Sequence, residues 1–522
     1  MAPGLLGVVA LTAFLYRVAR CVLPGDSDSA TVVLQGQSID SGHVTLSGWR
    51  TLYDSFWTID APIYAVGVRV LGLDPRLLYL VPALLGAVVA LLGCSLARDR
   101  RHGIAGLAAV ATVFALLALP TRAWGIWYLH GAMHIGTILY VLVAFVGLRR
   151  GRWGRGWTAA VLFFAAGLLG DLQMLVLGVV PALGAGLGAM LRTRNWRAGL
   201  PTVSAAAAGG LLAIVLRKGS ELVGTYAIGP ANPRAGGGQI LANLGHAPQW
   251  LSWLFGVSNG PFGPGHVATP LLAIRVVGML TVTLALAAAG VGVVRGAWNG
   301  SARGQPLNPA SHLDDLLLFA CLGDACLFVG LAVSADPAFV RYLVPLVVFG
   351  AILAGRMVGR WVAAARVAGA SLPLRRAGAV SAAAVLAAYL AAAVSVTVRP
   401  QFPVTNADVA RFLDAHDLHE GIGSYWAASI TTVASGGRVV VRPVSTTDDG
   451  EIVRYSKQST ADWYTRHAFQ FLIYGDDSAV DGVDAAAALA SFGPFARSYA
   501  VGRFTVLVWS HPVRLAPDRY AG

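Results

Sequence analysis

Charge is scarce in this chain: Asp, Glu, Lys and Arg make up 12% of its 522 residues, against 56% hydrophobic ones. With a mean hydropathy of +0.64, and apolar runs of roughly 20 residues recurring along the chain, that scarcity excludes an ordinary soluble domain. Cysteine is as thin: Cys21, Cys94, Cys321 and Cys326 all fall in or beside apolar runs, which argues against a disulfide framework and for buried thiols. The triplet Gly236-Gly237-Gly238 lacks both the Lys-Ser/Thr pair and the preceding strand of a phosphate-binding loop, so it reads as a hinge. The first apolar run, residues 3–23, contains Arg17 and Arg20 and lacks a small-residue cleavage site, so it is expected to be a retained span. The net charge is +13, but the basic residues sit in short links between apolar runs. That is the positive-inside pattern of a membrane protein, and no nucleic-acid groove is expected.

Placing the basic links at 98–101, 149–155, 192–197 and 356–376 in the cytoplasm gives about eleven spans, with the N-terminus inside and the C-terminus outside. The expected fold is an α-helical polytopic membrane domain over residues 1–397, with an acidic first external loop at 23–78 and a long external loop at 217–267. Within the first loop, residues 30–39 predict a short helix, and residues 51–71 one or two more broken at Pro62. From about residue 398 polar residues return, and 398–522 predicts a small extracytoplasmic α/β domain with a helix at 406–416 and strands at 438–444, 469–474 and 504–509.

In so apolar a chain, residues 23–64 concentrate Asp26, Asp28, Asp40, Asp54 and Asp60, together with the interfacial aromatics Trp49, Tyr53, Phe56, Trp57 and Tyr64. The pattern Asp28-Ser29-Ala30, then Ile39 and Gly42, then Asp60-Ala61-Pro62-Ile63-Tyr64 before the next span, resembles the GT-C membrane glycosyltransferases. These multispanning enzymes use polyprenyl-phosphate sugars and include protein mannosyltransferase and aminoarabinose transferase branches. The segment Gly423-Ser424-Tyr425-Trp426-Ala427-Ala428 looks like one in bacterial members, and Arg341-Tyr342 before Leu343-Val344-Pro345 looks like a recurrent feature of the family. The resemblance covers most of the chain in layout and a few dozen residues in motif.

The resemblance implies transfer of a sugar from a polyprenyl-phosphate donor to a lipid or glycan acceptor at the outer face of a bacterial plasma membrane. A polyprenyl phosphate leaves without protonation, so one carboxylate suffices as base for the acceptor hydroxyl. Asp28 fits that role, with Asp26 as the alternative; either could instead cap a helix opening at Ser29. Asp26-Ser27-Asp28 also has the form of a divalent-cation site, but nucleotide sugars are not expected outside the cell and no cofactor is assigned. Substrate contacts are expected from Asp60, His130, His134, Asp171, Arg341, Tyr342 and Arg217. His130 and His134 share a face if the helix has begun there, and are either substrate contacts or plain interface residues. Asp171, at the turn of an apolar hairpin, needs a partner, for which Arg122 is the candidate. Arg341 would neutralise the donor phosphate or act as an interfacial anchor. Asp324 is expected in a buried structural pair. Two rivals remain: a flippase for lipid-linked glycans, against which the fewness of polar mid-span residues and the want of an obvious internal repeat argue, and a non-enzymatic scaffold of envelope assembly.

Overall fold

Long runs of Ala, Leu, Val and Gly, interrupted only by short basic links, leave the backbone little alternative to helices that satisfy their own hydrogen bonds. The computed structural model describes residues 2–131, 133–229, 234–260, 269–299, 308–332, 337–367, 372–465, 468–475 and 481–515. Its contacts divide the chain into two units.

The helical unit comprises Met1–Val22, Pro82–Val215 and Asn232–Gln401. Among the described residues six helices are long and apolar enough to cross a membrane: Gly4–Val22, Leu77–Arg98, Leu175–Thr193, Trp196–Leu222, Leu272–Trp298 and Pro337–Val367. A seventh counts if Gly103–Ala118 and Arg122–Tyr128, bent by 81°, are one span. The bend follows a π-helical turn, Phe114–Ala118, and Pro120, which has no amide hydrogen to continue the helix. The expected eleven exceeds this because Ile135–Leu148 and Arg155–Gly170 have only 14 and 16 residues, Ala383–Thr397 is likewise among the shorter apolar helices, and Pro309–Gly330 carries Asp314, Asp315 and Asp324. Two of those acids are neutralised. Asp314 accepts from the fully buried Arg356, whose other nitrogens donate to the Leu96 and Ala310 carbonyls at 2.8 and 2.9 Å, and Asp315 pairs with Arg192. The buried pair expected for Asp324 is a helix cap instead, its Oδ2 accepting the Leu346 N–H at 2.9 Å at the start of Val344–Val367.

The α/β unit gathers Leu23–Val81, Leu216–Ala231 and Phe402–Gly522. Its main sheet has the order β5-β4-β3-β7-β9-β8, with β3 Glu420–Ser424, β4 Val440–Thr446, β5 Ile452–Arg454, β7 Phe469–Gly475, β8 Arg497–Val501 and β9 Phe504–Val513. The central strands alternate between two cores, as the two-residue repeat of a strand requires. Leu472 and Leu507 join Ile422 and Trp509 on one face, and Phe471, Ile473 and Val506 join Val441 on the other. A second sheet joins β1 Trp49–Thr51 to β2 Ala227–Ile228 in parallel and to β6 Ser459–Thr460 antiparallel.

The first loop supplies two helices to this unit, Ser27–Asp40 and Ala61–Leu71, the second with Pro62 in its first turn. They pack closely at Gly36, where a Cβ would stand 2.7 Å from the Tyr64 carbonyl carbon. The helix Tyr425–Ala434 runs straight on from β3 and packs on Ser27–Asp40, with the Thr31 hydroxyl donating to Ser429 Oγ at 3.1 Å.

Candidate active site

Two groups of polar side chains take up the residues singled out in the sequence, one in each unit.

In the α/β unit, Asp26 is the N-cap of Ser27–Asp40, its side chain accepting the Ser29 N–H at 2.9 Å. Asp28 stands in the first turn of that helix, where the positive end of the peptide dipoles favours an ionised carboxylate. The Tyr425 hydroxyl donates to Asp28 Oδ1. Gln458 lies 2.8 Å from the same phenol oxygen. A phenol has one proton, here given to Asp28, so the second contact is satisfied with the Gln458 amide NH2 turned towards Tyr425. Gln458 itself has φ +50, a left-handed conformation that a side-chain residue holds only where the surroundings impose it.

Tyr455 stacks on Tyr425 with centroids 4.6 Å apart, and the Tyr425 N–H donates to Asp481 Oδ2 at 2.8 Å. Burial, then the neighbouring Asp28 and Tyr455, hold the Tyr425 hydroxyl well above the usual phenol range, so it stays a donor at neutral pH. Burial also pushes Asp481 up, against the opposing pull of the Tyr425 N–H. Asp60, buried at the N-terminus of Ala61–Leu71, does not cap it; with Asp26 its charge reinforces the effect of burial in raising the Tyr64 hydroxyl. Arg217 is engaged elsewhere, with Glu221 at 3.2 Å, the Tyr226 carbonyl at 3.1 Å and the face of the Tyr226 ring.

In the helical unit the histidines do not sit as one helical pair. The helix starts at Ile135, leaving His134 as its N-cap residue with φ 65 and His130 in the preceding turn, its Nδ1 2.7 Å from the Gly131 carbonyl. The partner of Asp171 is His134 rather than Arg122. His134 Nδ1 is 2.7 Å from Asp171 Oδ2, the Thr137 hydroxyl donates to the same oxygen, and the Gln173 N–H donates to Oδ1 at 2.9 Å. Burial alone would raise Asp171, but the His134 charge and these three hydrogen bonds prevail and lower it. The Tyr342 ring lies 5.6 Å from that of His134, and the Arg341 guanidinium lies against Phe339 and Tyr342. His134, Asp171, Thr137, Tyr342 and Arg341 thus form one neighbourhood.

Sequence reasoning missed Tyr455, Gln458 and Asp481, for which no motif speaks. It also missed Arg275, for which there was a signal: a cation in the apolar run Thr269–Asn299, whose other cation, Arg295, lies near the far end beside the basic link. Arg275 is buried, and its guanidinium lies 4.5 Å from the centroid of the Tyr389 ring. Among the described residues it makes no ion pair with a carboxylate. Gly278 makes room for the Tyr389 hydroxyl, which a Cβ there would strike. Tyr389 lines an apolar groove of about 160 Å³ with Ala111, Ala115, Val277, Thr281 and Leu386. Among the described residues no group of three or more His, Cys, Asp or Glu is arranged to hold a metal ion.

The sequence matches no protein-family model, and no curated protein matches it either. Solved structures do resemble it. ArnT from Cupriavidus metallidurans in the apo state superposes with a TM-score of 0.54 over 97% of this chain and 98% of that one, at 14% identity. ArnT from the same organism bound to undecaprenyl phosphate gives 0.48 over the same shares at 17% identity. The Archaeoglobus fulgidus oligosaccharyltransferase, tethered with an acceptor peptide containing the NVT sequon, gives 0.48 over 97% of this chain and 74% of that one, at 12% identity. The last two superpositions are too loose to carry an argument, and at 14% identity the first speaks for the fold and not for the reaction. Over nearly its whole length, the chain has the fold of ArnT.

Proposed function

We propose that the protein is a membrane glycosyltransferase that passes a sugar from a polyprenyl-phosphate donor, with inversion, to an acceptor on the extracytoplasmic face. Asp28, fixed at a helix N-terminus by the Tyr425 hydroxyl, is the observation that carries this reading. A general base must be ionised and aimed. The helix dipole serves the first need and the Tyr425 bond the second. Asp28 takes the proton of the acceptor hydroxyl as its oxygen attacks the anomeric carbon from the side opposite the phosphate, and the polyprenyl phosphate departs as an anion. Asp26 is bound up in capping, which favours Asp28 as the base.

In the helical unit, Arg341 is proposed as the phosphate partner, with His130, His134 and Asp171 positioning substrate. Asp171 orients the His134 ring by accepting from its Nδ1. Arg275 is a second cation suited to the phosphate, since a buried guanidinium beside an apolar groove is costly unless an anion joins it. The groove beside Tyr389 would take part of the isoprenoid tail. The resemblance to GT-C enzymes and the fold support the class of donor. The test is the purified protein in lipid nanodiscs, given radiolabelled polyprenyl-phosphate sugars and an envelope extract as the source of acceptor. Asp28→Asn should abolish transfer and keep donor binding. A flippase or a scaffold would show no Asp28-dependent transfer in this assay.

A further inference from the structure

The α/β unit contains a groove of about 560 Å³ that the catalytic reading leaves unused. That volume falls within the about 300–1,000 Å³ typical of small-ligand sites. Its lining comes from three stretches: Leu23–Asp26 before the first helix of the unit, Phe402–Val409 with Arg411, and the turn between β8 and β9, Val501–Phe504, with Trp426 completing the wall. Its polar groups are balanced. Asp26, Asp408, Arg411 and Arg503 all line it, so the charged lining sums to zero, and Asp408 pairs with Arg411 on the same helix. Aromatic surface is present beside them in Trp426, Phe402 and Phe504. The Thr405 hydroxyl oxygen is buried there and makes no hydrogen bond among the described residues.

This mixture matches one class of ligand better than others. A phosphate or polyanion calls for a surplus of cations, and a lipid tail for an apolar lining. A neutral saccharide presents hydroxyls that donate and accept at once, which suits paired Asp and Arg side chains, and C–H faces that suit a flat indole. The groove also adjoins the proposed base through the chain itself: Asp26 is two residues from Asp28, and Trp426 follows Tyr425, with their rings 5.1 Å apart.

We infer that this groove binds a neutral oligosaccharide and that the acceptor of the transfer is therefore a glycan, a step that rests on the transferase reading for the word acceptor but not for the binding. The experiment uses the full-length protein in nanodiscs, titrated with short neutral oligosaccharides of hexose or pentose and, in parallel, with a sulfated oligosaccharide and an unrelated peptide. Calorimetry and tryptophan fluorescence follow the binding. Neutral saccharides should bind, and Arg503→Ala, Arg411→Ala and Thr405→Val should each weaken them by about tenfold without changing polyprenyl-phosphate binding. In a transfer assay the same variants should raise KM for the acceptor and spare kcat. Failure of every neutral saccharide to bind, binding insensitive to all three variants, or preferential binding of the peptide or the sulfated sugar would overturn the inference. Saccharide binding that the variants weaken, in a protein whose turnover ignores Asp28→Asn, would uphold the groove and overturn the transferase reading instead.

Discussion

Replacing Tyr425 by Phe removes one oxygen and leaves the rest of its surroundings in place. The ring still stacks on Tyr455, and the backbone N–H still reaches Asp481, because neither contact uses the hydroxyl. What goes is the hydrogen bond to Asp28 together with the one the hydroxyl accepts from Gln458. A bond from a neutral donor to an ionised carboxylate is worth about 1.5–3 kcal/mol. If all of it serves to aim the base, kcat/KM falls roughly 10- to 150-fold. Loss of the base itself, in Asp28→Asn, should cost about 10²- to 10⁴-fold. The decisive measurement is the double variant, assayed for transfer in nanodiscs alongside both single ones, with thermal unfolding as a check on folding. If Tyr425 acts through Asp28, the double variant is no slower than Asp28→Asn alone, and the coupling energy equals the whole Tyr425 effect. Fully multiplicative losses would show that Tyr425 acts independently, and the role given to Asp28 would lose its support.

Three further outcomes are expected. Asp171→Asn removes one partner of a buried pair and should destabilise the protein by about 3–5 kcal/mol. Because the folded carboxyl is lowered, the stability it supplies is complete above its unfolded value of about 3.9 and fades as pH drops through the folded value; thermal unfolding of wild type against Asp171→Asn should therefore converge in acid and diverge above about pH 4. Gly36→Ala forces a methyl group against the Tyr64 backbone and should lower stability by about 1–3 kcal/mol, read from the shift in Tm. Arg275→Leu should weaken polyprenyl-phosphate binding by about tenfold or more in a vesicle-free binding assay, with Arg275→Lys recovering part of it; unchanged affinity would remove Arg275 from the donor site.

Much of the architecture was legible because apolar runs, long for membrane helices and short for buried strands, stand out between polar links. Residues 30–39 lie inside the helix Ser27–Asp40, and residues 469–474 inside β7. The span count was less legible, since hydropathy cannot see the turn at Pro120 or the short helices either side of residues 149–154. His134 shows the same limit at the level of one residue: its left-handed backbone breaks the helical spacing on which a shared face with His130 depended. Tyr425 lay within a segment singled out for resemblance, but its bond to Asp28 joins residues 397 apart, and no local pattern records such a contact. Arg275 could have been found by asking what a guanidinium was doing in an apolar run, far from the basic link that holds Arg295.

The α/β unit is assembled from stretches beginning at residues 23, 216 and 402. Synthesis delivers these in sequence, so Asp28 emerges first and waits for Tyr425 through another 397 residues of chain. A product cut short before β3 would carry the proposed base without the group that aims it, and is expected to lose transfer while its inserted membrane helices still bind donor.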